Sequence, residues 1–164
     1  MRMLKSEPLT RAKNEDLFDM LLAFSICHDV IIEKDEEGNS KFNASSPDEL
    51  AFINMARYCG WEYLGIDANN IISVKFNQSD IIQYRLLHVM EFNSDRKRMS
   101  IIVEKCDQET ESNSVMVYIK GADNIIYERL KNSRIEENKK LEVVTKNVEE
   151  WSVEGLRTLV FAKR

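Results

Sequence analysis

Apolar residues recur at helical spacing at Leu17, Leu21, Phe24 and Cys27, and a second stripe runs through Phe18, Leu22 and Ile26. Two stripes on one segment predict a helix buried on two sides. Asn14 stands at the capping position, and Glu15 and Asp16 suit the positive end of the helix. The polar run from Glu33 to Ser40 reads as a solvated loop. Ser46, Pro47 and Glu49 then form a capping-box pattern with proline at the first helical position. A second helix is expected from there through Leu50, Ile53 and Arg57, ending near Cys59-Gly60, where glycine takes the left-handed exit conformation.

From Trp61 onward the chain becomes β-rich. Runs cover Trp61 to Ile66, Ile71 to Phe76, Ile81 to Phe92, Met99 to Glu104 and Val115 to Lys120, with short polar links that suggest antiparallel pairing. In the longest run Tyr84, Leu86, His88, Met90 and Phe92 share a face by alternation, so that Phe92 ends an apolar stripe at the sheet edge. Gln108 to Asn113 reads as a polar hairpin tip. Asp123 is placed to cap a short helix through Leu130, and Leu141, Val144, Val148 and Trp151 mark a longer one ending at Gly155. A last strand, Thr158 to Ala162, closes an α+β fold in which helices flank an antiparallel sheet of about six strands.

Length and composition sharpen this picture. At 164 residues the chain suits a single domain over 1–164, with 1–13 read as a linker or loosely ordered lead-in. Two prolines and five glycines argue against long disorder. A net charge of −5 gives no support to nonspecific binding of nucleic acid or membrane surface, so any basic function is local. The cysteines, Cys27, Cys59 and Cys106, are odd in number and lack a zinc-like repeat, which fits a reducing setting. No apolar run approaches the roughly 20 residues that span a bilayer, and Met1 to Thr10 is too charged for a signal peptide, so the chain is expected to be soluble as given.

The chemistry concentrates in two segments, Phe92-Asn93-Ser94-Asp95-Arg96-Lys97-Arg98-Met99-Ser100 and Lys120-Gly121-Ala122-Asp123. An aromatic ring beside cations offers a stacking face and phosphate counter-charge, and a lysine followed by two small residues lets a flat ligand approach the backbone. Neither segment is a P-loop, which needs a Gly-rich turn ending in Gly-Lys-Ser/Thr. On residues alone each member keeps a second role. Phe92 taken alone reads as a core residue, and its polar neighbours turn the reading toward a stacking platform; Lys120 taken alone is a strand end, and Arg157 a surface residue leaving the last helix. Glu49 is as much a capping-box partner of Ser46 as a ligand contact, and Asp48 complements the helix dipole. Arg98, if turned inward, braces the loop through a carboxylate. His28, His88, Trp61, Trp151 and the methionines read as structural, and no Ser-His-Asp or Cys-His arrangement emerges.

These segments, with Ser46-Pro47-Asp48-Glu49 before them and Glu154-Gly155-Leu156-Arg157-Thr158-Leu159 after, resemble the nucleotide-binding domain of P-type ATPases, in the spelling of the phospholipid-flipping branch. The resemblance covers nearly the whole chain and is densest from Ser45 to Thr158. It implies the nucleotide-binding domain fold, and a pocket in which Phe92 packs on adenine while Ser94 and Lys97 line the same cleft. Lys120 and Gly121 belong to that pocket by the same resemblance, Glu49 accepts from the adenine amine, and Arg157 meets the phosphates with Thr158 nearby. Residues 158–164 then lead to a hinge.

The parent protein implied is a phospholipid-transporting ATPase. Its Asp-Lys-Thr-Gly-Thr aspartate lies outside this chain, so the chain alone binds ATP without turning it over, and the Mg²⁺ ligands lie mostly elsewhere. Implied partners are ATP, the phosphorylation and actuator domains of the same parent, phospholipid through a membrane domain, and an accessory subunit, with no nucleic acid. The implied setting is the cytosolic side of a multi-pass membrane protein. Two alternatives stay open: a cation-transporting P-type ATPase domain, and a nonenzymatic interaction module that uses the Arg96 to Arg98 loop.

Overall fold

The computed structural model describes residues 14–34, 36–37, 40–76, 80–106, 114–130 and 135–164. The lead-in at 1–13 and the hairpin tip at 108–113 lie outside the described residues. Helix α1 spans Glu15–Ile26, capped by Asn14, whose side-chain oxygen accepts the Leu17 N–H at 3.1 Å. Phe18, Leu21, Leu22, Phe24 and Ile26 are all buried, as two apolar stripes require.

Of the solvated loop expected from Glu33 to Ser40, Glu36 and Glu37 form an exposed turn, while Glu33, Lys34 and Ser40 belong to two short strands, β1 (Ile31–Lys34) and β2 (Ser40–Asn43), paired antiparallel as a hairpin. Four-residue strands that are mostly exposed carry little period-2 signal. Only Ile32 and Phe42 pack against the core, and Asn43 Nδ2 donates to Glu33 Oε1 across the strands.

Helix α2 covers Pro47–Tyr58. It exits at Gly60, whose φ of 90° is costly for any residue with a Cβ, and there the Gly60 and Trp61 amides bond back to the Arg57 and Ala56 carbonyls. The same closure directs Trp61 straight into the interior, edge-on to Phe18 and stacked on Phe76.

Six strands follow as an antiparallel meander: β3 (Glu62–Ile66), β4 (Ile71–Phe76), β5 (Asp80–Asn93), β6 (Arg98–Lys105), β7 (Val115–Gly121) and, after two helices, β8 (Val160–Lys163). Each strand pairs with the next. The simple alternation along β5 fails, because the register shifts between Leu86 and His88 and again between Met90 and Asn93. An extra residue flips the facing of those after it. Tyr84 is therefore buried and Leu86 packs on the core, but His88 is exposed and Val89 takes the inward place. Phe92 lies at the end of an interior strand and not on a sheet edge.

Helix α3 is shorter than the pattern implies, Asp123–Tyr127, and Ala122 rather than Asp123 occupies its cap. The Ala122 amide still donates to the Lys97 carbonyl, which keeps that residue extended. Helix α4 runs Ile135–Val153, ending two residues before Gly155. Of the expected core stripe on α4 only Val148 is buried, while Val144 and Trp151 are exposed, so Trp151 is not a core residue. Strand β8 begins at Val160, opposite Gly121, where β7 ends; Thr158 and Leu159 have no ladder to join.

Among the described residues two clusters make up the core. Tyr118 belongs to the larger, with α1 and α2, and Ile119 packs on the smaller, formed by Ile126 of α3, Val148 of α4 and Val160. Consecutive strand residues point to opposite faces, so helices cover both sides of the sheet at its β7–β8 end.

His28 ties α1 to β1. Its Nδ1 accepts the Val30 amide at 3.1 Å, which leaves Nε2–H to donate to the Ser25 carbonyl at 2.9 Å. Burial lowers its pKa to about 4, while the unfolded chain titrates near 6.5. The neutral ring therefore contributes stability in full above pH 6.5, and that contribution is lost as pH falls toward 4. Urea midpoints of wild type and His28→Gln are expected to converge over that window, by up to about 1.4 kcal/mol per pH unit. Glu49, whose raised pKa acts in the opposite sense, is common to both proteins and cancels in the difference.

Candidate functional site

The strand register gathers the predicted residues at one end of the sheet. Asn93 at the end of β5 pairs with Arg98 at the start of β6, Arg98 with Gly121 at the end of β7, and Gly121 with Val160 at the start of β8. Phe92, Ser94, Lys97, Lys120, Gly121 and Thr158 all lie at or beside these positions. The N-terminus of α2 joins them through two ion pairs, Glu49 with Lys120 and Asp48 with Arg157.

Phe92 is 61% exposed, which decides between its two readings in favour of a surface ring. Ser94 and Lys97 are exposed beside it, and Thr158 is half-buried. Arg157 projects into solvent and touches the site through one contact, Nη2 to Asp48 Oδ2 at 2.7 Å. Asp48, read from sequence as a dipole complement, thus also holds Arg157 against α2. Nothing in the local sequence pairs two residues so far apart.

Lys120 is buried, its ammonium bonded to Glu49 Oε2 and 5.9 Å from the Phe52 ring centre. It lies on the α1–α2 face, opposite the buried Met99. Burial raises the Glu49 pKa against the pull of Lys120, with Asp29 and Asp48 adding to the rise. The capping-box arrangement is not the one formed. Ser46 Oγ accepts the Asp48 amide at 3.2 Å, and the Glu49 carboxylate turns to Lys120. Ser46→Ala is expected to lower stability by about 1 kcal/mol in urea melts, the usual cost of an N-cap.

The β5–β6 turn is held from several directions. The Asn93 carbonyl accepts the Lys97 amide at 2.8 Å, and Asn93 Oδ1 accepts the Arg96 amide at 2.7 Å. Asparagine at a turn start is the sequence signal for this closure. Lys97 has a φ of 52°, a left-handed conformation that costs a non-glycine residue about 1 kcal/mol. Gly121 presses on the same turn: a Cβ there would lie 2.5 Å from the Lys97 carbonyl oxygen and 2.7 Å from Arg98 Cβ. Its lack of a side chain is thus already required by the neighbouring strand. Arg98 bonds to the Arg96 carbonyl at 2.8 Å, a backbone brace in place of the expected carboxylate, and Arg96 bonds to the Glu91 carbonyl at 2.9 Å.

Elsewhere the chemistry is sparse. Cys27 is buried, and burial pushes its thiol up to about 12, which leaves it un-ionised at neutral pH. Among the described residues no group of three or more His, Cys, Asp or Glu could hold a metal ion. No helix among them is long and apolar enough to cross a membrane. A cavity of about 450 Å³ lies between the β1–β2 hairpin and β3, away from the sheet end that carries Phe92 and Lys120.

Comparison with known proteins shows the family. Residues 16–164 match the family described as P-type ATPase, cytoplasmic domain N. The chain is 44% identical over 156 residues to phospholipid-transporting ATPase 10 of Arabidopsis thaliana, covering 90% of this chain and 12% of that protein. Over 160 residues it is 39% identical to phospholipid-transporting ATPase C887.12 of Schizosaccharomyces pombe, covering 96% of this chain and 12% of the relative. Against phospholipid-transporting ATPase DRS2 of Saccharomyces cerevisiae the identity is 36% over 146 residues, or 89% and 10% of the two chains. The chain thus spans about a tenth of the length of these relatives. A match that runs from α1 through β8 takes in every element that builds the sheet end described above, and the chain belongs to the P-type ATPase cytoplasmic domain N family.

Proposed function

We propose that this domain binds ATP at the Phe92 end of its sheet and holds it for phosphorylation of an aspartate in a separate domain of a phospholipid-translocating P-type ATPase. The observation that carries the reading is convergence. Four strand ends and the start of α2 meet at one end of the sheet, where Phe92 is exposed at the end of β5, Lys97 stands in the β5–β6 turn, and α2 carries the Glu49–Lys120 and Asp48–Arg157 pairs. Adenine stacks on Phe92, the Glu49 carboxylate accepts from the exocyclic amine, and Lys97 and Arg157 face the phosphate chain with Ser94 and Thr158 beside them. Phosphoryl transfer depends on positioning and charge neutralisation, so this domain supplies the first, while the attacking carboxylate and the Mg²⁺ ligands lie in the partner domain.

The names of the relatives, all phospholipid-transporting ATPases, favour lipid over cation as the transported species. Arg96 and Arg98, turned to backbone carbonyls, make a poor row of free cations for nucleic acid. One stack and a few exposed polar contacts barely offset the cost of association, so ATP binding is expected to be weak and independent of Mg²⁺. A dissociation constant on the order of 1 mM corresponds to roughly 4 kcal/mol. The test is the full-length parent in vesicles: ATP-dependent movement of a labelled phospholipid to the cytosolic leaflet supports the reading, and ATP hydrolysis that responds to a metal cation but moves no lipid contradicts it.

A further inference from the structure

Phe92 is an exposed ring at the end of a strand whose register has just slipped, between Met90 and Asn93. A base that stacks on such a ring needs the backbone beneath it held in place. Two arginines address the backbone on either side. The Arg96 guanidinium donates to the Glu91 carbonyl, the peptide unit that leads into Phe92, at 2.9 Å. The Arg98 guanidinium donates to the Arg96 carbonyl at 2.8 Å, and Arg98 is itself held in the β6 ladder opposite Gly121. Asn93 closes the other side through the Arg96 amide. The slipped strand end is thereby connected by consecutive hydrogen bonds to the regular β6–β7 ladder.

We infer that Arg96 and Arg98 are positioning residues for the adenine shelf, holding the Glu91–Phe92 backbone in place before the base arrives. This rests on the reading that Phe92 carries the base. The arginines act through Phe92 and not on the phosphates, because their donors are directed at main-chain oxygens of the turn itself. Pre-ordering the shelf removes a cost that binding would otherwise carry.

An uncharged ligand separates this role from direct phosphate contact. The labelled 164-residue chain is titrated with ATP and with adenosine, as wild type, Arg96→Met and Arg98→Met, with the Phe92 ring resonances followed throughout. Loss of one net hydrogen bond predicts that Arg96→Met weakens both ligands to the same degree, about fivefold. Arg98→Met, one bond further away, weakens both by a smaller equal factor. The Phe92 ring signals broaden or shift in both variants before any ligand is added, with the urea midpoint close to wild type. Weakening confined to ATP, with adenosine unaffected, overturns the proposal and makes these arginines phosphate contacts; so does an undisturbed Phe92 ring with wild-type affinities. Wild-type protein that binds neither ligand removes the nucleotide reading itself, and the proposal with it.

Discussion

Phe92→Ala is expected to abolish measurable ATP binding while leaving the domain folded. The two halves of that result have separate physical causes. Base stacking on an aromatic ring contributes roughly 1–3 kcal/mol, a large share of a binding energy near 4 kcal/mol. The ring is 61% exposed and belongs to neither core cluster, so its removal opens no cavity. Calorimetry with ATP reads the first half, and a urea midpoint within about 0.5 kcal/mol of wild type reads the second. Retained affinity, or loss of the fold, would contradict this assignment of the ring to the ligand side.

Lys120→Met is expected to have the opposite signature, a large loss of stability. Lys120 and Glu49 face each other with side chains 5% and 12% exposed, and removing the ammonium strands the Glu49 carboxylate among Phe52, Cys27 and the start of α2. Breaking a buried pair from one side costs about 3 kcal/mol. The double variant Lys120→Met with Glu49→Leu leaves no stranded charge and is expected to recover most of that loss. Recovery of the fold should not restore binding, because the adenine amine then has no carboxylate to meet. If the double variant is as unstable as the single one, the pair holds the fold in some way other than charge compensation.

The sequence made the large, regular parts of the molecule visible. Helix α1 carries two apolar stripes, and the main strands of the sheet are long β-rich runs, so periodicity placed them nearly to the residue. The β1–β2 hairpin was hidden, because its strands are four residues long and only Ile32 and Phe42 are partly buried against the core. Alternation along β5 misassigned His88, since a register slip is a property of two strands and neither spells it alone. Trp151 shows the converse limit: helical spacing says which residues share a face but not whether anything covers that face.

For the proposed site, the meander brings the strand ends that carry these residues to one end of the sheet. What they bond to was not legible. Glu49 turned from its cap to Lys120, Asp48 reached Arg157, and Arg98 found a carbonyl in place of a carboxylate. Each partner lies on another element or across a tight turn, where sequence spacing carries no directional information.

The most direct test of the central claim, that a purine lies on Phe92 at this end of the sheet, is a measurement of intermolecular nuclear Overhauser effects between ATP and the labelled domain. Contacts from adenine H2 and H8 to the Phe92 ring protons, with none to the cavity beside β3, are the predicted result. Adenine contacts to Tyr63, Leu64 or Phe42 with a silent Phe92 ring would place the nucleotide elsewhere and contradict the account.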